Sequence, residues 1–430
     1  MNLAMASYRV QTLRVGDKTS RDGSTLTISP AEIRDVALSG PSSITDLTIE
    51  IAHPGDRVRI VHALDAIEPR IKVGGTTPAF PGFLGPARTV GSGRTNRLAG
   101  VTVIESAQLP QPTSGILEFN EGLIDMSGPG APRCACSNTA NLILCFRLSS
   151  SATNDEADAD IRLAALRVAD FLASQTLGRE ADESTHYSLD EQTPGLPRVV
   201  YVDQVQQQGP LVQTFLYGVP VNDLVPTVLH PNEMLDGAVV SGNYRSMMKV
   251  TTALHCNNPV LLSLYARHGK ELNFAGVVFC RGHFPDHQTK ERNAYMVAKL
   301  AKMIGADGAV QTLEGTGNSN IDFMLIAKAL KEAGIIAVQV MPEFGGHDGR
   351  DWPLVDYVPE AETIVSVGSI NRKFDIPEME RSIGGATIVF TSAEGWGRPL
   401  SATSAMEVTA QEMYGGFWQM GISGLSARDF

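Results

Sequence analysis

The chain has 430 residues, of which 43% are hydrophobic and 19% are charged, and its formal net charge is −12. This length predicts two or three domains of a globular protein, because one ordinary core does not grow so large. The negative charge and the lack of a Lys/Arg cluster argue against nucleic acid as a partner. No apolar run approaches the roughly 20 residues that span a bilayer, and the five cysteines form an odd set that favours reduced thiols. We therefore expect a soluble, cytoplasmic protein without a membrane partner.

Residues 1–150 predict a β-rich N-terminal domain. Segments such as "YRVQTLRV", "STLTIS", "DLTIEIAHPGDRVRIVHALDAI" and "GVTVIESAQ" alternate apolar and polar positions, and Gly, Pro and Asp separate them. An acidic stretch, "SSSATNDEADAD", then precedes an amphipathic pattern that predicts a helix over 160–174. The change of pattern places a domain junction near residue 150.

Residues 151–430 predict an α/β domain with a mainly parallel sheet. Six short apolar runs read as buried strands: "RVVYVDQV", "ELNFAGVVFC", "GAVQTLEG", "IIAVQVMPE", "ETIVSVGS" and "ATIVFTSA". Amphipathic helices are expected between several of them, at 289–304 and 321–334. Buried strands that alternate with helices pair in parallel through βαβ crossovers, and ligands bind at the carboxyl ends of such strands.

Polar side chains follow three of the predicted strands at their carboxyl ends. They are Glu314, Asn318 and Asp322 after one strand, Glu343, His347, Asp348 and Arg350 after the next, and Ser369 and Asn371 after a third. Each of them also fits the role of a helix cap or a turn former. Because three strand ends are enriched in the same way, we favour one shared site.

Several motifs occur in an order that resembles a known family. These motifs are "AIEPRIKVGG", "VGSGRT", "EGLIDMSGPGA", "QQQGPLVQTFLYG", "PNEMLDGAVVSGN", "NNPV", "LYARHGKELNF", "EGTGN" and "EFGGHDGRD". The chain resembles the proprotein subunit of component B of glycine/sarcosine/betaine reductase over almost its whole length, and the D-proline reductase proprotein is similar to it more distantly. This resemblance implies reductive cleavage of a carbon–nitrogen bond in a small amino acid or its N-methylated derivative.

The resemblance also implies a covalent cofactor, and here the sequence departs from the family. In the family, the proprotein is cut before an internal cysteine that follows Ser-Gly-Asn, and that cysteine becomes a pyruvoyl group that captures the substrate amine. A partner subunit carrying selenocysteine or cysteine then attacks the α-carbon. In this chain Ser241-Gly242-Asn243 is followed by Tyr244.

Tyr244 cannot form a pyruvoyl group. Self-cleavage needs a heteroatom on Cβ that attacks the preceding carbonyl through a five-membered ring and then leaves by β-elimination. The tyrosine oxygen lies across an aromatic ring, and its Cβ carries no leaving group. We therefore predict that the pyruvoyl is absent, and that Tyr244 acts as a hydrogen-bond donor, a general acid, an aromatic wall or a simple space-filling side chain.

From these motifs we predict the residues of the site. The catalytic residues are predicted to be Tyr244, Glu343 and Asp348, and the substrate-binding residues Asn243, Asn257, Glu314, Asn318 and Arg350. A divalent metal remains an open alternative, with Glu343, His347 and Asp348 as ligands. Weaker metal sets are His283, His287 and Glu291, which Pro285 interrupts, and Glu233 beside His230. Cys256 beside His255 suggests an activated thiol, but a buried inert cysteine fits better because sequence neighbours point apart.

The hypothesis that we favour is a catalytic subunit that cleaves a carbon–heteroatom bond in a small amino-acid-like substrate without a pyruvoyl. A partner resembling the selenoprotein or cysteine subunit of component B would supply the thiol, so we expect an oligomer. Two alternatives remain open from the sequence: a metal-dependent hydrolase or lyase on a small polar substrate, and a non-catalytic scaffold for a partner subunit.

Overall fold

The fold is taken from a computed structural model of the chain. It describes residues 1–40, 42–74, 77–110, 122–206, 212–243, 250–346, 350–389, 399–410, 412–415 and 426–428. Within these ranges no helix is long and apolar enough to cross a membrane.

Short strands dominate the described residues of the first 150. The elements are β1 (Leu3–Arg9), β2 (Thr12–Val15), β3 (Ser20–Asp22), β4 (Thr25–Ile28), α1 (Pro30–Ala37), β5 (Ile44–Ala52), β6 (Val58–Ile60), β7 (Ala63–Ile67), β8 (Arg70–Val73), β9 (Gly93–Ala99), β10 (Val101–Ser106), β11 (Ile124–Asp125) and β12 (Ala140–Leu148). Short 3₁₀ turns lie at Ala131–Arg133 and Ala135–Asn138. The predicted β-rich beginning of the chain is confirmed.

Strands and helices alternate in the rest of the chain. The elements are α2 (Asn154–Ser174), β13 (Glu183–Tyr187), β14 (Arg198–Val205), β15 (Val212–Leu216), β16 (Val219–Pro220), β17 (Thr227–Leu229), α3 (Pro231–Leu235), β18 (Val239–Asn243), α4 (Thr252–Cys256), α5 (Pro259–Arg267), β19 (Asn273–Arg281), α6 (His287–Ile304), β20 (Gly308–Leu313), α7 (Asn318–Glu332), β21 (Ile336–Glu343), β22 (Ile364–Ser369), β23 (Lys373–Ile376), β24 (Arg381–Ile383), β25 (Thr387–Ile388), β26 (Leu400–Ser401), β27 (Met406–Thr409) and β28 (Ser426–Arg428). A 3₁₀ turn lies at Val221–Asp223.

The helices begin earlier than their apolar patterns suggest, because capping residues set their first turns. α2 begins six residues before the predicted start, where Thr153 and Glu156 form a reciprocal capping box. α6 begins at His287, because the Asp286 side chain accepts a hydrogen bond from the backbone N–H of Thr289 at 2.8 Å. A polar segment that completes a cap carries no apolar periodicity, so the pattern alone misses it.

A seven-stranded sheet forms the centre of the α/β part, in the order β17-β19-β14-β20-β21-β22-β28. β19, β14, β20, β21 and β22 pair in parallel, whereas β17 and β28 pair antiparallel at the edges. The predicted mainly parallel sheet is confirmed for five of the six apolar runs. The sixth run, "ATIVFTSA", was wrongly placed in it: its described part, β25, pairs antiparallel with β26.

Different elements cover the two faces of the central sheet. α6 and α7 pack on one face, where Val202 and Val278 meet Val297 and Ile326. On the other face Tyr201 and Val205 pack against α3, α5, β15 and β18. β15 and β18 belong to a small antiparallel sheet, β16-β15-β18, which lies over the central one. The Ser-Gly-Asn motif forms the end of β18.

Segments distant in sequence share the cores of the N-terminal part. α2 buries Ile161 and Leu166 against the first sheets, and β13 pairs with β1. Near the C-terminus, β24 pairs in parallel with β6, and Ile383 and Val408 enter a second core. A domain boundary near residue 150 stays a prediction, because α2 packs on strands that precede it.

A fully buried ion pair, Arg59–Asp125, also holds segments from the C-terminal part of the chain. The guanidinium group of Arg59 on β6 contacts both carboxylate oxygens of Asp125, at 2.6 and 3.1 Å. Its remaining N–H groups donate to the carbonyl oxygens of Pro377, Ala402 and Ser404 at 2.9–3.0 Å. A buried arginine with all donors used fixes the C-terminal segments against β6.

Replacing Arg59 with Met should strongly destabilise the protein. The substitution leaves Asp125 buried without its cation, which costs about 3 to 5 kcal/mol. The matched control is Arg9→Met, whose ion pair with Glu183 is exposed (66% and 55%) and contributes less than about 1 kcal/mol. Urea unfolding of the three proteins measures the difference. Equal unfolding midpoints for the two variants would contradict the buried role of Arg59.

Candidate functional site

The strand order of the central sheet reverses between β14 and β20. From β14 the chain moves to β19 on one side, and it then crosses to β20 on the other side. In open α/β sheets the crevice outside the carboxyl ends of two such strands is where ligands bind. Gln206 follows β14 and Glu314 follows β20 at this point, and both side chains are buried. The strand ends at which the site is predicted therefore meet at a switch point, and the site itself stays a prediction.

The Glu314 carboxylate joins three chain segments at this crevice. Its Oε2 accepts hydrogen bonds from the backbone N–H of Gln206 at 2.9 Å and from the Thr214 hydroxyl on β15 at 3.1 Å. Its Oε1 accepts from the backbone N–H of Val250 at 3.3 Å. Only 2% of Glu314 is exposed. These three donors fix the position of the Glu314 carboxylate.

Gly315 leaves room for this arrangement. Its φ is +92°, and a Cβ built there would lie 1.2 Å from Oε1 of Gln206. Any other residue would be strained in this backbone conformation and would collide with Gln206. The first glycine of "EGTGN" therefore allows β20 to end against β14.

A second buried carboxylate comes from the N-terminal part of the chain. Asp65 on β7 accepts from the backbone N–H of Thr252 at 3.0 Å and from the Thr252 hydroxyl at 2.5 Å. The Thr252 oxygen in turn accepts from the backbone N–H of Ser241 at 3.0 Å. Asp65 thus fixes the beginning of α4 and the end of β18 to each other.

The segment that carries Tyr244 runs between these two fixed points. β18 ends at Asn243, whose backbone pairs with Val212 on β15, and Val250 is bound to Glu314. Tyr244 and residues 245–249 lie outside the described residues, as does the side chain of Asn243. The roles of Tyr244 and Asn243 stay predictions, but the chain enters and leaves this segment at the crevice.

Asn257 holds α4 to the N-terminal sheet. Its Oδ1 accepts from Arg70 and from Arg97, each at 2.8 Å. Its Nδ2 donates to the Ala253 carbonyl at 2.9 Å and to Glu68 at 3.2 Å. Because protein groups occupy both ends of the amide, the geometry favours a positioning role over the predicted contact with substrate.

Asn318 lies at the first turn of α7, beside the loop that precedes α6. Its Nδ2 donates to the Phe284 carbonyl at 3.0 Å, and its own carbonyl accepts from Lys290 at 3.2 Å. Lys290 also pairs with buried Asp322 at 2.5 Å. These contacts tie α7 to α6, so Asn318 and Asp322 have structural partners, and the predicted substrate contact of Asn318 stays untested.

The predicted residues after β21 are only partly described. Glu343 is 6% exposed, and its backbone pairs with Ser369 on β22. Arg350 is exposed, and His347 and Asp348 lie outside the described residues. The shared strand-end position of Glu314 and Glu343 agrees with the prediction, while the catalytic roles of Glu343 and Asp348 and the binding role of Arg350 stay predictions.

The weaker metal sets have other contacts. His287 is 67% exposed and lies 3.5 Å from Glu291, whereas the backbone of His283 donates to Asp322. Glu233 accepts from the Tyr217 hydroxyl at 2.6 Å and from the His230 backbone at 2.7 Å, which is a capping contact. Among the described residues, no three His, Cys, Asp or Glu side chains converge as metal ligands. His347 and Asp348 fall outside that search.

Cys256 is buried, and burial raises the pKa of its thiol to about 11. A thiol with this pKa stays protonated near neutral pH, and the protonated form is a poor nucleophile. This finding agrees with the interpretation of an inert cysteine.

The sequence analysis missed three residues of this crevice. Asp65 and Asp203 each lie inside an otherwise apolar strand, in "ALDAI" and "YVDQV". An acid in a buried strand is costly unless it has a partner or a function, and this signal would have identified both. Thr252 carries no comparable signal, because its role depends on a partner almost 190 positions away.

Comparison with known proteins supports one family. The family model for glycine/sarcosine/betaine reductase component B subunits matches residues 1–428. The chain is 35% identical to the sarcosine reductase complex component B subunit alpha of Peptoclostridium acidaminophilum and 34% identical to the glycine reductase complex component B subunits alpha and beta of that organism, in both cases over 100% of each chain.

A more distant similarity extends to D-proline reductase. The D-proline reductase proprotein of Acetoanaerobium sticklandii is 24% identical, and the match covers 74% of this chain and 51% of that protein. No solved structure matches the chain. The resemblance inferred from the motifs is therefore confirmed.

Replacing Glu314 with Gln should loosen the crevice. An amide presents one acceptor oxygen, and its NH₂ group would face an N–H or O–H donor, so we expect a loss of about 1 to 3 kcal/mol of stability. Backbone amides of Gln206 and Val250 should then exchange faster with deuterium. The control is Glu191→Gln at an exposed position. Unchanged exchange at Gln206 and Val250 would show that Glu314 does not hold these segments.

Proposed function

Since this chain belongs to the glycine/sarcosine/betaine reductase component B family, we propose that it is the substrate-binding and catalytic subunit of a glycine-reductase-like system. The proposed reaction is reductive or thiol-mediated cleavage of a carbon–nitrogen bond. The names of the relatives suggest glycine, sarcosine and betaine as the substrates to test first. Their shared chemistry is a small molecule with an amine or quaternary ammonium nitrogen on the carbon next to a carboxylate.

The observation that carries this proposal is the position of the Ser-Gly-Asn motif at the end of β18. Its strand, β18, is held at the switch point by two buried carboxylates, Asp65 through Thr252 and Glu314 through Thr214. The end of an exposed strand needs no such anchoring, whereas this strand is held by two carboxylates from distant parts of the chain. They support a preorganised site at which residues 244–249 meet the substrate.

The proposed site works without a pyruvoyl. Tyr244 stands where the family carries the cysteine, and a phenol cannot attack the preceding carbonyl or leave by β-elimination. The substrate amine would therefore be bound without a Schiff base. Tyr244 would act as a hydrogen-bond donor or general acid toward the departing nitrogen.

The chemistry balances with two thiols. A thiolate of the partner attacks the carbon that bears nitrogen, so a C–S bond forms as the C–N bond breaks, and the nitrogen leaves as a protonated amine. A second thiolate then attacks the sulfur. The two thiols become a disulfide and lose two electrons, which the carbon fragment gains together with a proton.

The proposal also concerns the partner subunit and the cellular compartment of the protein. A partner subunit that carries cysteine or selenocysteine would supply the first thiol, so the working protein would be a hetero-oligomer. We place it in the cytoplasm, where thiols stay reduced.

Release of amine from defined substrates tests the proposal. The purified chain, its thiol-bearing partner and a dithiol should release methylamine from sarcosine, trimethylamine from betaine or ammonia from glycine. Omission of the chain or the partner should abolish release. Release that needs no thiol and stops with a chelator would instead favour a metal-dependent lyase, and no release from any substrate would contradict the proposal.

The mass of the purified protein tests the missing pyruvoyl. The wild-type chain should remain one species of 46.1 kDa that does not react with hydrazine. Tyr244→Cys restores a heteroatom on Cβ and should yield two fragments, one of them reactive with hydrazine. The control is Tyr295→Cys on the exposed face of α6, which should stay intact. Two fragments from the wild-type chain would refute this part of the proposal.

A further inference from the structure

Asp203 is a buried carboxylic acid that the site described so far does not use. It lies on β14 and is 2% exposed. Its Oδ1 is 3.4 Å from the Thr312 hydroxyl of β20. Within the described part of the chain its Oδ2 has no hydrogen-bond partner. A buried oxygen without a partner is costly, so it is expected to serve a ligand.

A chain of hydrogen bonds leads to Asp203. Asn258 at the beginning of α5 donates to the Tyr201 hydroxyl at 3.0 Å, and Tyr201 contacts Thr312 at 2.6 Å. When Tyr201 donates to Thr312, the Thr312 proton points to Asp203. Burial raises the pKa of Asp203 and the Tyr201 and Thr312 hydroxyls both lower it through hydrogen bonds, while the Asp203 Oδ2 lies without a partner within hydrogen-bond distance in the described part of the chain.

Ser241 presents a second unpartnered oxygen from the layer above. It is 1% exposed, and its Oγ has no hydrogen-bond partner among the described residues. Val239, two positions earlier on β18, packs in the same core as Tyr201 of β14. Because side chains alternate along a strand, Ser241 and Val239 share one face, as do Asp203 and Tyr201. Ser241 and Asp203 therefore belong to two layers that face each other.

Resting on the proposed function, we propose that Asp203 and Ser241 bind the amino group of the substrate, as the carboxylate and hydroxyl partners of one ammonium ion. Glu314 lies two positions after Thr312, just beyond the carboxyl end of β20. Its carboxylate holds the segments at Gln206, Thr214 and Val250 in place. The two oxygens accept hydrogen bonds from the ammonium group, whose charge offsets that of Asp203. The ligand class is a small primary or secondary amine.

The local charge favours a cation over an anion. No described residue forms an ion pair with Asp203, and burial raises the pKa of its carboxyl to about 7. Among the described residues an ammonium ion would be the counter-charge of the Asp203 carboxylate, whereas an anion would add a second negative charge beside it. A buried water is the neutral alternative, since it would also satisfy two oxygens.

Other titratable groups lie on the elements around this face. They are Tyr201 on β14, Cys280 on β19, Glu314 after β20, Glu233 on α3, His255 on α4 and Tyr265 on α5. Burial and the charge of Asp203 raise the pKa values of Tyr201 and Cys280 well above neutrality. His255 is a buried imidazole on α4, so a substitution at this position serves as a control for the pH dependence.

The pH dependence of binding follows from the raised pKa. An ammonium ion binds to the ionised carboxylate, so protonation of Asp203 competes with binding. Affinity should fall about tenfold for each pH unit below about 7 and stay constant above it, until the amine itself loses its proton.

Titration calorimetry with methylammonium and with sarcosine, between about pH 5.5 and 8.5, tests the inference. The wild-type protein should bind both amines more tightly as the pH rises toward neutrality. The Asp203→Asn variant should bind the amines about tenfold more weakly at the upper end of the pH range, because one charged hydrogen bond is gone. Its affinity should no longer depend on pH. The His255→Gln variant should keep the pH dependence of the affinity.

The matched control is Asp170→Asn. Asp170 lines a cavity of about 640 Å³ between α1 and α2, and burial raises its pKa to about 6.

Thr312→Val and Ser241→Ala make the test independent of whether Asp203→Asn folds. Thr312→Val removes a hydrogen bond that lowers the pKa of Asp203, so the midpoint of the pH profile should move up. Ser241→Ala should weaken binding and leave the midpoint unchanged. A pH profile that persists in Asp203→Asn, or an unmoved midpoint in Thr312→Val, overturns the inference, as does the absence of binding of both amines. Failure of the proposed function would appear separately, as amine binding without bond cleavage.

Discussion

The structure depends on carboxylates that are buried where several chain segments meet. Glu314 is the central case, because one side chain accepts hydrogen bonds from the segments that follow β14, form β15 and precede α4. A buried carboxylate is stable only when such donors surround it, so the cost of its burial demands a specific arrangement. The arrangement around Glu314 is what brings the Ser-Gly-Asn strand to the switch point of the parallel sheet.

The same principle joins the N-terminal part to the α/β part. Asp65 and Glu68 follow each other closely on the N-terminal side, and they contact opposite ends of α4 through Thr252 and Asn257. A helix of five residues has little stability of its own, so its place is set by these contacts. The site is therefore an interface between sequence-distant parts, and a change in the N-terminal strands would reach it through α4.

Sequence patterns identified the parallel strands and the position of Glu314, because both depend on local order: an apolar run followed by a polar residue. They say less where a role depends on distant partners. Asn257 is predicted to bind substrate, and only the folded chain shows that Arg70 and Arg97 bind its oxygen. Asp65 has a local signal, its place in an apolar strand, but its partner Thr252 is visible only in the folded chain. The roles of Tyr244 and Asp348 rest on the sequence alone, because their segments are outside the described residues.

The proposed absence of a covalent electrophile changes what the rest of the candidate site must do. A Schiff base holds an amine by a bond and needs little else for its position, whereas a site without one must orient the same amine by charge and hydrogen bonds. Those interactions are strong only in a water-excluded layer with preorganised partners. Within the described residues, the buried oxygens Asp203 Oδ2 and Ser241 Oγ lack partners, and Glu314 is fixed by three donors. On our proposal Asp203 and Ser241 recognise the amine, so a tyrosine at position 244 is compatible with activity.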